Sequence, residues 1–144
     1  MKKKPNLLFI IDPWETLDHP NDTTLRLIEE AIDQGARCAI AENRSIGLEH
    51  SIPYAEVSEV RAISRPRNAE NISCADIRWA PLGRYDHIFY RTDPPVDLAY
   101  LLPLQILAAT PRLAKGKGPK IHASPASLFS LNEKWAPAEL GSLF

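Results

Sequence analysis

The sequence predicts an α/β fold, a mainly parallel β-sheet between helices, with a small hairpin excursion. Three observations predict it. Residues 7–11 are an uninterrupted apolar run closed by Asp12-Pro13, the composition of a strand buried on both faces. Ile88-Phe89-Tyr90 repeats that composition and ends in Arg91-Thr92-Asp93-Pro94-Pro95. Each run is followed by a stretch of helical periodicity, so strand, polar elbow and helix recur. In open parallel sheets ligands sit at the carboxyl ends of the strands.

Residues 13–22 form a polar loop with Trp14 and Pro20, and Asn21-Asp22 offers a helix N-cap. The helix that follows puts Leu25, Leu27, Ile28, Ala31 and Ile32 on its apolar side and Glu29, Glu30 and Asp33 toward water. Gly35 stops it as a left-handed residue does. Residues 36–41 supply a second strand, so the unit is strand, helix, strand, with a right-handed crossover and parallel strands.

Residues 43–84 read as an excursion with an antiparallel β-hairpin: a short helical turn within 43–50, one exposed strand over 54–63 and polar loop chemistry over 65–73. The main sheet resumes at Asp86. Pro94 and Pro95 cannot donate to a ladder, so the chain leaves the sheet there in a stiff turn, and Arg91 and Asp93 stand on rigid backbone. The simplest role for Arg91 is an ion pair with Asp93 or Asp97 that stiffens the loop. A helix over 96–109 follows, its apolar positions Leu98, Leu101, Leu102, Ile106 and Ala109. Beyond it come a basic loop with Gly116 and Gly118, a strand over 120–123, a turn at Ser124-Pro125, a helical turn over 126–131, and Asn132-Glu133-Lys134 as a further cap.

A chain of 144 residues is one domain, able to bury about two-thirds of its unfolded surface. A formal net charge of -1 and 24% charged residues give no reason to expect nucleic acid or a membrane as partner, and Lys2-Lys3-Lys4 reads as a solvated end. No apolar run approaches the ~20 residues that span a bilayer, and the reading is cytoplasmic. Cys38 and Cys74 lack Cys-x-x-Cys spacing and read as reduced thiols.

The chemical inventory excludes several classes. Asp12-Pro13-Trp14 stands where a dinucleotide-binding glycine turn would follow the first strand. Gly116-Lys117-Gly118 precedes a strand rather than a helix, so it is a solvated loop and not a phosphate cradle. His19, His50, His87 and His122 are scattered without metal-ligand spacing, and Ser124 and Ser127 lack a nucleophile elbow. A phosphoacceptor role for Asp12 lacks its acidic neighbour. What remains is Asp12, Arg91 and Asp93 at strand ends, and the group around Asn132 and Lys134. Arg91 can grip a carboxylate in a bidentate fork, while Asp12 or Asp93 orients it or receives an ammonium, a rim suited to a zwitterionic amino acid or peptide. It contains no base-nucleophile pair and no metal cluster, hence no self-sufficient catalyst.

The order of these pieces resembles the bacterial glutathione synthetases. The resemblance rests on Ile11-Asp12-Pro13, the helix to Gly35, Ile88 through Pro95, and Ile121-His122-Ala123-Ser124-Pro125 leading to Leu131-Asn132-Glu133-Lys134, and is thin over 43–84. It implies a three-layer, Rossmann-like pre-ATP-grasp domain over residues 1–131 and the start of a linker toward an ATP-grasp domain over 132–144. The complete enzyme is implied to join γ-glutamylcysteine to glycine with ATP and Mg2+. Lys134 resembles the family's lysine that reaches the nucleotide phosphates, and Asp12, Arg91 and Asp93 resemble its substrate-facing elbow. No cofactor is expected in this chain itself. Three readings follow: the amino-terminal domain of such a ligase, inactive alone; a stand-alone binding module for an amino acid or thiol peptide, working with a separate ATP-grasp chain; or an interaction domain that kept the fold and lost the site. A missing domain also predicts an apolar patch around Trp135, Leu140, Leu143 and Phe144 that drives self-association into a homo-oligomer.

Overall fold

The computed structural model describes residues 3–113 and 118–122. Along the chain come β1 (Asn6–Ile11), α1 (Thr23–Asp33), β2 (Arg37–Glu42), β3 (Gly47–Glu49), β4 (Ile52–Ile63), β5 (Ile72–Cys74), β6 (Arg78–Pro81), β7 (His87–Tyr90), α2 (Leu98–Leu113) and β8 (Lys120–His122). The strands form one sheet in the order β3-β4-β2-β1-β7-β8, with β5 and β6 also pairing on β4. β1 runs parallel to β2 and β7, and β7 parallel to β8; the excursion adds the antiparallel part.

Alternation along β1 sends its side chains to two separate cores. Leu8 and Ile10 join Ile88, Tyr90 and, from α2, Tyr100, Leu104 and Leu107. Phe9 and Ile11 join Cys38, Ile40 and, from α1, Leu25 and Ile28. The helices therefore cover opposite faces of the sheet, giving the expected three layers.

α1 begins where Asp22 caps it, its carboxylate accepting from Leu25 N (2.9 Å), and ends at Gly35, whose φ of +88° is left-handed. Two positions differ from the periodicity. Leu27 is 48% exposed. Glu29 turns to the loop after β4, where it accepts hydrogen bonds from Arg65 and Arg67, instead of facing water.

α2 is longer than expected and turned: Tyr100, Leu104, Leu107 and Thr110 are buried, whereas Leu98 and Leu102 are 74% and 55% exposed. Residues 98–110 contain no charge, so periodicity alone does not fix which face meets the sheet. Asp97 sets its start, accepting from Tyr100 N (3.0 Å).

β4 is not an exposed strand but an interior one, pairing with β2 through residues 38–40. Pro53, Ala55 and Val57 are buried along its first half, Ser58 and Val60 along its second. Val57 belongs to the α2-side core and Val60 to the α1-side core. Each half is covered on a different face, so the covered side changes midway. The expected hairpin is present as β3 and β4, and the loop over 65–73 closes into β5. Among the described residues no helix is long and apolar enough to cross a membrane.

Candidate functional site

β1 passes through α1 to β2 on one side, and β7 passes through α2 to β8 on the other, over the opposite face. Between β1 and β7 the strand order thus reverses direction, the switch point at whose carboxyl edge open α/β sheets bind ligands. Both proline corners lie there, because β1 and β7 are parallel and Ile10 pairs with Tyr90.

The ladder continues one step beyond the strands, Arg91 N donating to the Ile10 carbonyl (2.8 Å). Asp12 then ties three strand ends together. Its Oδ2 accepts from Asp93 N (2.9 Å) and its Oδ1 from Asn43 Nδ2 (3.4 Å), and Asn43 directly follows β2. Beside it Glu42 accepts from Trp14 N (2.9 Å), which pins the loop after β1 to the end of β2. Burial raises the Asp12 carboxyl above its ordinary range; the Asp93 N–H works against that shift, and the Asp93 and Asp22 charges add to it.

Arg91 reaches the amino end of α1. Its Nε donates to Thr24 Oγ1 (3.2 Å) and its Nη2 to Thr23 Oγ1 (3.1 Å). The ion pair with Asp93 or Asp97 does not form: none of the ion pairs among the described residues involves Arg91. Asp97 is turned away to cap α2, and the two threonines hold the guanidinium first. The result is an exposed cation, fixed by neutral groups, beside the positive end of a helix dipole. Such a place favours an anion. Behind it Tyr90 donates to the Tyr100 carbonyl (2.9 Å), and burial pushes its phenol up to about 12, so it stays protonated as a strut.

Asp12, Arg91 and Asp93 are thus brought together. Lys134 and Asn132 lie outside the described residues, as do Ser124, Ser127, the Gly116-Lys117 pair and the apolar group from Trp135 to Phe144. Sequence reasoning missed Thr23, Thr24 and Asn43; the available signal was that two hydroxyls follow an N-cap and an amide follows a strand end. It also took the histidines as scattered, whereas His87 Nδ1 and His122 Nε2 meet at 2.9 Å across β7 and β8. Cys38 is buried, which pushes its thiol up to about 11, and it forms no disulfide with Cys74. Among the described residues no three His, Cys, Asp or Glu side chains gather closely enough to hold a metal ion.

Residues 6–128 match the family model described as the prokaryotic glutathione synthetase, N-terminal domain. A glutathione synthetase of Neisseria meningitidis serogroup A is 27% identical over 132 residues, 90% of this chain and 40% of that relative. One of Gloeobacter violaceus is 32% identical over 102 residues, 70% of this chain and 31% of the relative. One of Thermosynechococcus vestitus is 29% identical over 136 residues, 90% and 42%. The chain spans about two-fifths or less of the length of these curated relatives. With a family model covering residues 6–128, the chain belongs to the prokaryotic glutathione synthetase family, as its N-terminal domain.

Proposed function

We propose that this domain supplies the substrate side of a glutathione synthetase-like, ATP-dependent ligase, acting with an ATP-grasp domain. The relatives carry the name glutathione synthetase and are more than twice as long as the part matched here. The observation that supports the reading is the guanidinium of Arg91, oriented by Thr23 and Thr24 and without an acidic partner among the described residues. It is built to receive a carboxylate of an amino acid or short peptide. Asp12 holds the elbow that carries it, and the exposed Asp93 carboxylate offers a place for the ammonium of a zwitterion.

ATP and Mg2+ belong elsewhere in this reading. The turn after β1 is Asp12-Pro13-Trp14 rather than a glycine cradle, and the described residues form no cluster for a cation. Lys134 remains the proposed contact to the nucleotide phosphates, from outside the described region.

Calorimetric titration of the chain with γ-glutamylcysteine, glycine and glutathione tests the substrate role. A hydrogen bond to a charged group is worth about 1.5 to 3 kcal/mol, so Arg91→Ala should weaken binding by roughly 10- to 100-fold. A C-terminally amidated peptide should lose a similar factor. Equal binding by Arg91→Ala, or no heat with any of the three, refutes the assignment.

A further inference from the structure

A concave site lies on the α1 side of the sheet, lined in part by Trp14 from the loop after β1. It is a cleft of about 660 Å3, within the range of small-molecule sites. Its apolar lining comes from Ile11 and Ile40, toward the carboxyl ends of β1 and β2, from Trp14, and from Ile72, Cys74 and Ile77. Ile77 is 70% exposed at the mouth, a large apolar side chain that gains by being covered.

Two hydroxyls of this cleft are already used as donors. Ser45 Oγ already donates to the Glu42 carbonyl (2.8 Å), and Ser58 Oγ donates to the Ala75 carbonyl. With its hydrogen engaged, each hydroxyl has lone pairs left to accept from a donor. The charged lining residues are Glu42, Arg44 and Glu56. Arg44 is engaged by Glu42 (2.6 Å) and by Glu15 (3.2 Å), so its charge is spent on two carboxylates. Glu56 forms no ion pair among the described residues. A cleft with apolar walls, acceptor hydroxyls and an uncompensated carboxylate complements a donor cation on an apolar body.

We propose that this cleft binds a small aliphatic ammonium compound, its chain between Trp14 and Ile77 and its ammonium at Glu56 and Ser58. The site is separate from the carboxylate-binding edge at Arg91 and stands or falls independently of it.

Two-dimensional amide NMR of the 144-residue chain, titrated with hexylammonium, hexanol and hexanoate, tests this. Hexylammonium should shift the amides of Ser58, Ala75 and Ile77 and the Trp14 indole, and should bind at least tenfold more tightly than hexanoate. Glu56→Gln should remove most of that difference while leaving hexanol unchanged. Ile77→Ser, at a position 70% exposed, should weaken hexylammonium and hexanol together. Equal affinity for hexanoate, shifts scattered away from the cleft, or full hexylammonium affinity in Glu56→Gln with a parent-like melting curve overturns the proposal.

Discussion

Replacing Asp12 separates a clamp from a charged ligand contact. In Asp12→Ala the Asp93 N–H loses its acceptor at 2.9 Å and the Asn43 amide loses its partner at 3.4 Å. The first is a charge-assisted bond worth about 1.5 to 3 kcal/mol, and the second, long and weak, adds little. Against these stands relief of a carboxylate that burial and two acidic neighbours disfavour. The net loss is about 1 to 2 kcal/mol, which for a chain of this size lowers the melting temperature by roughly 3 to 8 °C. Asp12→Asn keeps an oxygen for the Asp93 N–H, and the Asn43 amide can turn its own oxygen to the new NH2 group. It should stay within about 1 kcal/mol of the parent. The pH dependence has a definite sign. Because the folded-state pKa of Asp12 is raised, its contribution is fully present below the unfolded value of 3.8 and lost as pH rises through the folded value. Asp12→Asn, which does not ionise, should therefore gain on the parent between pH 3 and pH 7. Urea melts followed by circular dichroism at both pH values measure this. If Asp12→Asn at pH 7 falls as far as Asp12→Ala, the negative charge itself is needed and the clamp is the wrong description.

Gly35→Ala should cost about 1 kcal/mol, read from urea melts; no atom lies within 4 Å of the added Cβ, so the cost comes from the φ of +88° alone, and Gly35→Asn should recover part of it. Leu104→Ala should cost about 2 to 5 kcal/mol in the same assay, since Leu104 is fully buried and ties α2 to the sheet. His122, stacked on Phe89 at 4.3 Å, has its pKa lowered by burial and by the His87 and Lys120 charges. A lowered folded value means stability is present above the unfolded value of 6.5 and lost as pH falls through the folded one. His122→Phe keeps the stack and should flatten the melting temperature across that acidic window.

The parallel units were legible because each is written locally: an apolar run, a capping aspartate, a helix and a left-handed glycine. Asp22 and Gly35 act where the pattern put them. β4 was not legible as an interior strand because its cover changes sides between Val57 and Ser58, so the alternation over 54–63 changes phase midway and reads as a strand with one exposed face. The face of α2 was hidden for a different reason, the lack of any charge over 98–110. At the site, Asp12, Arg91 and Asp93 stood out through their proline corners. Their partners did not: Thr23 and Thr24 reach Arg91 across 67 or 68 residues. Which oxygen satisfies a guanidinium is decided by the sheet, not by neighbours in the chain, and the carboxylates nearest in sequence were the wrong choice.

The juxtaposition of the two corners follows from strand direction. β1 has six residues, so an antiparallel pairing with β7 would separate its carboxyl end from that of β7 by roughly 20 Å at ~3.3 Å per residue. Arg91 would then stand beyond reach of α1, whose amino end lies at the carboxyl end of β1. Parallel pairing instead requires a long crossover before β7, and residues 43–84 occupy it with antiparallel strands that line the cleft on the α1 side. The excursion therefore does two things for one edge of the sheet: it lets β7 return in the direction that places Arg91 beside Asp12, and it helps build the cleft lined by Trp14. A shortened chain joining Glu42 directly to Tyr85 would keep the strands that carry Arg91 and Asp12 but lose the partner that covers β2. Ile40 and Cys38 would then lose Val60 and Ile72 from their core and Asp12 would lose the Asn43 amide, so the Arg91 corner depends for its stability on an excursion that touches it only at Asn43.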